Sequence, residues 1–305
     1  MKAGTNLEKI LESGMFAVTA EAGPPKGSSA AVIQRKAEML RRCCDAVNIT
    51  DNQTAIVRMS SLAGCILLKQ QGVDPVMQMV VRDRNRLAIQ SDVLGAAAFG
   101  IGNFLCLSGD HQKFGNHPEA KGVYDIDSIQ LIQTLKKMRD EKKFISGDDI
   151  TGEVPLFIGA AANPFADPFE FRVRRLAKKV RAGASFIQTQ AVYDVPRFAR
   201  WMEMVTEQGL DRQAHILAGV IPIRSVGMAR YMRDYVSGVS VPDSVVTRME
   251  QAASAKEEGV RVILDIIEQL KEIPGVHGIH IMAVGWEDVV SVIVERAGLM
   301  PRPVV

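Results

Sequence analysis

The chain has 305 residues, 37 basic and 35 acidic side chains and a net charge of +2. So even a balance excludes the basic footprint that a nucleic acid or an anionic membrane would require, and no apolar run is long enough to span a bilayer. Met1-Lys2-Ala3-Gly4-Thr5-Asn6 lacks a secretory apolar region, so the expectation is one cytoplasmic domain over 1–305, with no nucleic acid and no membrane insertion.

In chain order, apolar runs of strand length stand at 16–20, 46–49, 76–81, 104–107, 156–160, 186–189, 216–221 and 279–283. Segments with apolar residues at three- and four-residue spacing predict helices over 30–42, 59–71, 84–99, 126–141, 168–181, 195–208, 226–235 and 286–297. Eight alternating units predict an α/β protein of the (β/α)8 TIM barrel class and not a doubly wound sheet. The segment 242–273 adds an extra helical region before the last strand, with a solvated face that includes Lys256, Glu257, Arg261 and Glu268. The stretch 109–126 is too long for a default connection, and long loops at the carboxyl end of a barrel tend to carry function.

The strand ends concentrate the chemistry. Thr19-Ala20-Glu21-Ala22-Gly23-Pro24-Pro25 puts an acid at the end of an apolar run, with two prolines that deny helical continuation. A solvated turn is the alternative use of that acid. Asn48-Ile49-Thr50-Asp51-Asn52, Leu107-Ser108-Gly109-Asp110, Ala161-Ala162-Asn163-Pro164 and Gln188-Thr189-Gln190 bring amides and small residues to the same mouth. Amides present paired donors and acceptors suited to the edge of a planar heterocycle, a pterin or a flavin, and glycine at 109 admits a ring close to the backbone. No Gly-x-Gly-x-x-Gly fingerprint opens a first βα unit; Gly100-Ile101-Gly102 precedes a strand and reads as a helix terminus. Cys43, Cys44, Cys65 and Cys106 form no Cys-x-x-Cys pair and read as buried thiols, which argues against an iron–sulfur cluster in this chain. His277 and His280 have no second ligand at metal spacing and read as structural; no metal site is expected, and the 14 methionines read as core filling.

Taken together, Glu21 with Pro24-Pro25, Gly109-Asp110, Thr189-Gln190 followed by Tyr193-Asp194, and Gly219-Val220-Ile221-Pro222-Ile223 resemble the methylenetetrahydrofolate reductases, flavoproteins on a (β/α)8 barrel. The resemblance runs from Glu21 to about Ala283 and is strongest to the compact form of acetogenic and related anaerobic bacteria. It implies a two-stage reaction: a donor reduces the flavin, and 5,10-methylenetetrahydrofolate then takes the hydride from flavin N5 to become 5-methyltetrahydrofolate. By the same resemblance Glu21 is the general acid toward the folate N10, Asp110 is catalytic and substrate-binding beside the flavin pyrimidine and the pterin, and Gln190 binds the pterin. Thr50, Gln78, Ser108, Gly109, Asp110, Asn163, Asp167, Arg172 and Lys179 fall at flavin contacts, with Lys179 placed for a phosphate.

There are departures from the family pattern. Ser108 replaces an arginine, and Gln78 and Asn163 stand where many members place histidine and tyrosine against the flavin, so FAD is the first expectation and FMN the alternative. Val284-Gly285-Trp286 replaces an arginine against the folate, and Met228 and Met232 replace a glutamine and the phenylalanine that stacks on the nicotinamide. The resemblance therefore implies electrons delivered by a companion iron–sulfur and zinc subunit, docking near Trp286, Met228 and Met232. Two other functions remain open at this stage, a flavin-binding electron-transfer or scaffold subunit and a flavin-free pterin methyltransferase barrel. The sequence also leaves a homo-oligomer and the direction of the reaction open.

Overall fold

The computed structural model describes residues 1–236 and 238–305. Eight parallel strands, β1 (Ala17–Ala22), β2 (Ala46–Ile49), β3 (Pro75–Val80), β4 (Asn103–Leu107), β5 (Phe157–Ala162), β6 (Phe186–Ala191), β7 (His215–Val220) and β8 (Val276–Ile281), close into a barrel in sequence order. Their burial is nearly continuous, as strands covered by helices outside and side chains inside require. Helices α2 (Ala30–Leu40), α3 (Ser61–Gln70), α4 (Arg86–Ala98), α5 (Ser128–Asp140), α6 (Phe169–Ala182), α7 (Val195–Glu207), α8 (Val226–Tyr235) and α11 (Val289–Arg296) form the outer ring. The predicted extra segment is two helices, α9 (Asp243–Gln251) and α10 (Ala255–Lys271).

Among the differences from the sequence-based expectation, two boundaries and one added element have a clear local reason. Strand β1 runs to Ala22, so Glu21 is a strand residue, and what stops the strand is Pro24-Pro25. Helix α5 starts two residues late because Asp127 caps it, accepting from the backbone N–H groups of Ile129 and Gln130 while the Gln130 side chain bonds back to the Asp127 N–H. Helix α1 (Asn6–Glu12) is an element the periodicity does not announce. It closes the amino end of the barrel with Leu7, Ile10 and Leu11, which pack with Phe157 and Phe186 from the strand interior. The two phenylalanine rings stack at 5.1 Å, and a Cβ at Gly159 would lie 2.2 Å from the Phe186 ring, so glycine is required there. The barrel is thus plugged by apolar side chains at its amino end and left polar at its carboxyl end, where a ligand can enter.

A buried ion pair pins the carboxyl-terminal segment to the plugged side. Arg302 donates through Nε and Nη2 to Asp45 at 3.0 and 2.6 Å, and Asp45 accepts the Val18 N–H at 2.7 Å. Among the described residues no helix is long and apolar enough to cross a membrane.

Candidate active site

Parallel register decides which polar side chains meet inside the barrel. Glu21 of β1 pairs with Asn48 of β2, and Thr19 pairs with His280 of β8, so these residues project at adjacent levels of one interior. A continuous polar layer results. Asn48 and Gln188 exchange amide hydrogen bonds at 2.7 and 3.1 Å, Gln188 donates to Thr19 Oγ1 at 3.2 Å, and Thr19 Oγ1 lies 2.9 Å from His280 Nδ1. His280 Nε2 stands 4.0 Å from Glu21 Oε2, which also accepts from Gln78 Nε2 at 3.1 Å, and Gln53 Nε2 donates to Glu21 Oε1 at 3.3 Å.

Burial sets the protonation of this layer. It raises the pKa of Glu21 above the ordinary carboxylate range, and the amide donors Gln78 and Gln53 only partly offset that rise. His280 is 3% exposed, and burial pushes its pKa down to about 3. Near neutral pH His280 is therefore uncharged, and its contact with Glu21 is not an ion pair. A carboxyl whose pKa is raised keeps its proton to higher pH than a solvated one does.

Above the polar layer lies a cavity of about 320 Å³ whose lining includes Glu21, Gln78, Asn163, Gln190, Leu107 and Met282. Its far wall is cationic: Arg172, Arg175 and Lys179 project from α6 at three- and four-residue spacing. Lys179 is 9% exposed and donates to the Ala161 carbonyl; burial first and Arg175 second bring its pKa down to about 8. Arg172 donates to the Ala166 carbonyl at 3.0 Å and to the Asp167 carbonyl. Among the described residues none of the three cations has a carboxylate partner, so their charge is uncompensated.

The structure thus gathers six of the predicted site residues, Glu21, Gln78, Asn163, Arg172, Lys179 and Gln190, around one cavity. The others lie outside its lining. Thr50 is buried and its hydroxyl has no hydrogen-bond partner. Ser108 bonds Ser128 at 3.2 Å. Gly109, at φ +83°, takes the tight turn after β4, where a Cβ would meet Val80 and Arg82 at 3.1 and 3.2 Å. Asp110 is exposed at the rim and accepts the Thr54 N–H at 3.1 Å, and Asp167 accepts from Arg197 at 3.1 Å beside a separate surface depression.

Asp110 has a structural partner task. Asn52, Thr54 and Ala55 adopt left-handed backbone with φ of 42°, 57° and 55°, a conformation that costs non-glycine residues on the order of 1 kcal/mol or more each. Surrounding bonds hold it: Arg82, buried, donates to the carbonyls of Asn52 and Asp110 at 3.2 and 3.0 Å, and Asp110 holds Thr54. Gly115 from the long loop packs so closely that a Cβ would lie 1.8 Å from the Ala55 carbonyl oxygen. This strained turn is what aims Gln53 at Glu21.

Four participants are not singled out by the sequence as site residues. His280 neighbours Glu21 only because β8 closes on β1, which no linear spacing shows. Arg82 acts through backbone carbonyls, and Gln53 depends on the turn conformation. Arg175 was readable, since it completes the helical row between Arg172 and Lys179. Met232, by contrast, is only 4% exposed, with its sulfur 3.7 Å from the Tyr193 hydroxyl, so it belongs to the core and cannot offer a docking surface. Among the described residues no group of three or more His, Cys, Asp or Glu side chains could hold a metal ion.

A closed eight-stranded parallel barrel with an acid in a polar mouth defines a protein of the (β/α)8 class. Which family it is follows from comparison: the sequence profile of the methylenetetrahydrofolate reductases matches residues 6–298, and the chain belongs to that family. Methylenetetrahydrofolate reductase 2 of Schizosaccharomyces pombe is 28% identical over 221 residues, 68% of this chain and 33% of that protein. The 5,10-methylenetetrahydrofolate reductase of Salmonella typhimurium is 22% identical over 206 residues, 66% of this chain and 62% of that protein. The chain thus matches about a third of the length of the yeast relative. In fold it is similar to a Clostridium thermocellum protein described as binding two copies of 5-methyl-5,6,7,8-tetrahydrofolic acid, with a TM-score of 0.67, 14% identity, and coverage of 97% of this chain and 100% of that one.

Proposed function

We propose that this chain reduces 5,10-methylenetetrahydrofolate to 5-methyltetrahydrofolate with a resident flavin, FAD before FMN. The observation that carries the proposal is Glu21, its pKa raised by burial, at the polar edge of the amide-lined cavity.

The donor set fits a flavin. Gln78, Asn163 and Gln190 offer amide edges for a heterocycle, Leu105, Leu107, Ala161 and Ala162 offer apolar surface for its rings, and Arg172, Arg175 and Lys179 suit phosphate. Three cations along two turns of α6 match a diphosphate better than a single phosphate, which favours FAD. A bound flavin supplies the hydride. Glu21 delivers its proton to N10 as the bond from N10 to the methylene carbon opens, which leaves an electrophilic methylene on N5 to receive that hydride. Gln78 and Gln53 orient the acid and then stabilise the carboxylate it becomes, and His280, neutral, does not compete for the proton. Asp110 offers its remaining carboxylate oxygen from the rim to the amino-pyrimidine edge of the pterin, and Gln190 its amide.

For the electrons we infer a partner chain carrying its own redox centres. Met228 is half-buried and Met232 is core, so the mouth has no aromatic side chain at either position to stack on a nicotinamide. Half-buried Trp286 and Met228 remain as contacts for such a partner.

The experiment is anaerobic. The flavin-loaded protein is reduced with an artificial donor and mixed with 5,10-methylenetetrahydrofolate; flavin reoxidation with stoichiometric 5-methyltetrahydrofolate is expected. A yellow protein inert toward the folate would leave the electron-transfer subunit reading, and a colourless folate-binding protein the methyltransferase reading.

A further inference from the structure

Arg82 lies just past β3 and outside the lining of the amide-lined cavity, yet several connections meet on it. Its guanidinium donates to the Asn52 carbonyl in the loop after β2 and to the Asp110 carbonyl in the loop after β4. The Arg82 carbonyl accepts the Val123 N–H at 2.7 Å, which ties down the far end of that same long loop. Asp83 meets the guanidinium at Nε and Nη2, both at 2.7 Å, so the charge is already compensated and the bonds to the carbonyls are additional. Only a planar, forked donor serves one carboxylate and two carbonyls at once; a lysine cannot.

The segment it holds is under strain. Positive φ at Asn52, Thr54 and Ala55 faces a further positive φ of 41° at Tyr124, near the end of the long loop. Non-glycine residues leave that region when nothing holds them there. Asp83 also accepts from the Asn52 side chain at 3.1 Å, so Arg82 and Asp83 grip the turn together. Gln53 sits inside this turn, and its amide reaches Glu21 Oε1 at 3.3 Å, a length at which a small backbone shift breaks the bond.

We propose that Arg82 is a positioning residue of the proton-transfer site: it fixes the turn that keeps Gln53 on Glu21, and so governs how readily that acid gives up its proton. The inference rests on the function proposed above. The charged and titratable groups around Glu21 are His280 of β8, Lys36 of α2, Arg58 and Glu287 in the neighbouring loops, and the cations of α6 across the cavity. Of the side chains that bond its carboxyl, Gln78 is on β3 and only Gln53 is on the turn that Arg82 holds. A donor favours the carboxylate, so losing Gln53 keeps the proton on Glu21 to higher pH.

The test is the pH dependence of the folate half-reaction, with the flavin reduced beforehand by an artificial donor. Gln53→Met sets the reference: its falling limb should lie about one pH unit above that of wild type, as loss of one hydrogen bond to a carboxylate implies. Arg82→Lys keeps the charge beside Asp83 but loses the fork, so it should move the limb the same way and add nothing further in the double variant with Gln53→Met. Gly115→Ala leaves Arg82 intact and displaces the turn from the other side, since its Cβ would lie 1.8 Å from the Ala55 carbonyl oxygen; it should also raise the limb, and it keeps the test open if Arg82→Lys does not fold. A limb unmoved in folded Arg82→Lys, or in Gly115→Ala or Gln53→Met, overturns the positioning role whatever the melting temperature does. So does an Arg82→Lys shift that persists in full beside Gln53→Met, because Arg82 would then act by a route other than Gln53. A wild type whose reduced flavin is not reoxidised by the folate at any pH overturns the proposed function itself, and the role of Arg82 with it.

Discussion

The uncharged imidazole of His280 and the carboxyl of Glu21 lie 4.0 Å apart, joined to different partners. His280 gives its other nitrogen to Thr19 at 2.9 Å, and Glu21 takes its bonds from Gln78 and Gln53. Because neither imidazolium nor lysine touches the carboxyl within 4.0 Å among the described residues, burial prevails and the pKa of Glu21 rises.

Replacing Glu21 with glutamine keeps the side-chain shape and removes the deliverable proton. Glu21→Gln should leave flavin reduction by an artificial donor nearly intact and slow the folate half-reaction by about a hundredfold or more, the usual contribution of a positioned general acid. Single-turnover kinetics of the two half-reactions decide it; an unaffected folate half-reaction would leave Glu21 a structural residue of β1.

The pH profile has a definite sign. An acid whose pKa is raised in the fold acts while protonated, so the folate half-reaction should be flat at low pH and fall as pH rises through that raised pKa. Gln78 donates to Glu21 Oε2 and favours the carboxylate, so Gln78→Leu should move the falling limb to higher pH. A limb that stays in place, or moves to lower pH, would show that some other group titrates.

The barrel and its helix ring were legible because strands buried on both faces read as short apolar runs, and helices on one side of them read as stripes. Helix α1 was not, since seven residues carrying Leu7, Ile10 and Leu11 look like an ordinary tail until the empty end of the barrel is seen. Glu21, Gln78, Asn163, Arg172, Lys179 and Gln190 were each readable from strand ends or from the family pattern. His280 and Gln53 were not, because one reaches Glu21 through barrel closure and the other through a left-handed turn, and both are long-range facts. Asp110 shows the reverse: its place in the loop after β4 was legible, but its hold on Thr54 was not.

The cationic row on α6 should govern the cofactor. Lys179, with a pKa of about 8, is mostly charged at neutral pH and loses its proton as pH rises, so flavin affinity should weaken above pH 8. Lys179→Met and Arg175→Gln should each raise the flavin dissociation constant about tenfold or more, the worth of one charged phosphate contact, and should flatten or preserve the pH dependence respectively. Fluorescence titration with FAD and FMN measures both; equal affinities for the two flavins would remove the second phosphate from the assignment.

The electron donor gives the last prediction, and it turns on Met228 and Met232. A nicotinamide ring needs a flat partner to hold it over a flavin, yet Met232 is committed to the core beside Tyr193, whose hydroxyl donates to the Ile221 carbonyl, and Met228 carries no amide to orient the nucleotide. Neither residue can therefore do what an aromatic face and a glutamine would do. NADH and NADPH should reduce the flavin of the isolated chain slowly, whereas a partner chain bearing redox centres should reduce it at turnover rates. Anaerobic stopped-flow mixing with each nucleotide reads the bleaching of the flavin band directly. Bleaching at about one per second or faster, the lower end of ordinary turnover, would mean that this chain takes its hydride from the nucleotide unaided. Substituting Met228→Gln then offers a second reading: if the missing amide is what limits nucleotide binding, this variant should accelerate bleaching by NADH at subsaturating concentration while leaving reoxidation by the folate unchanged.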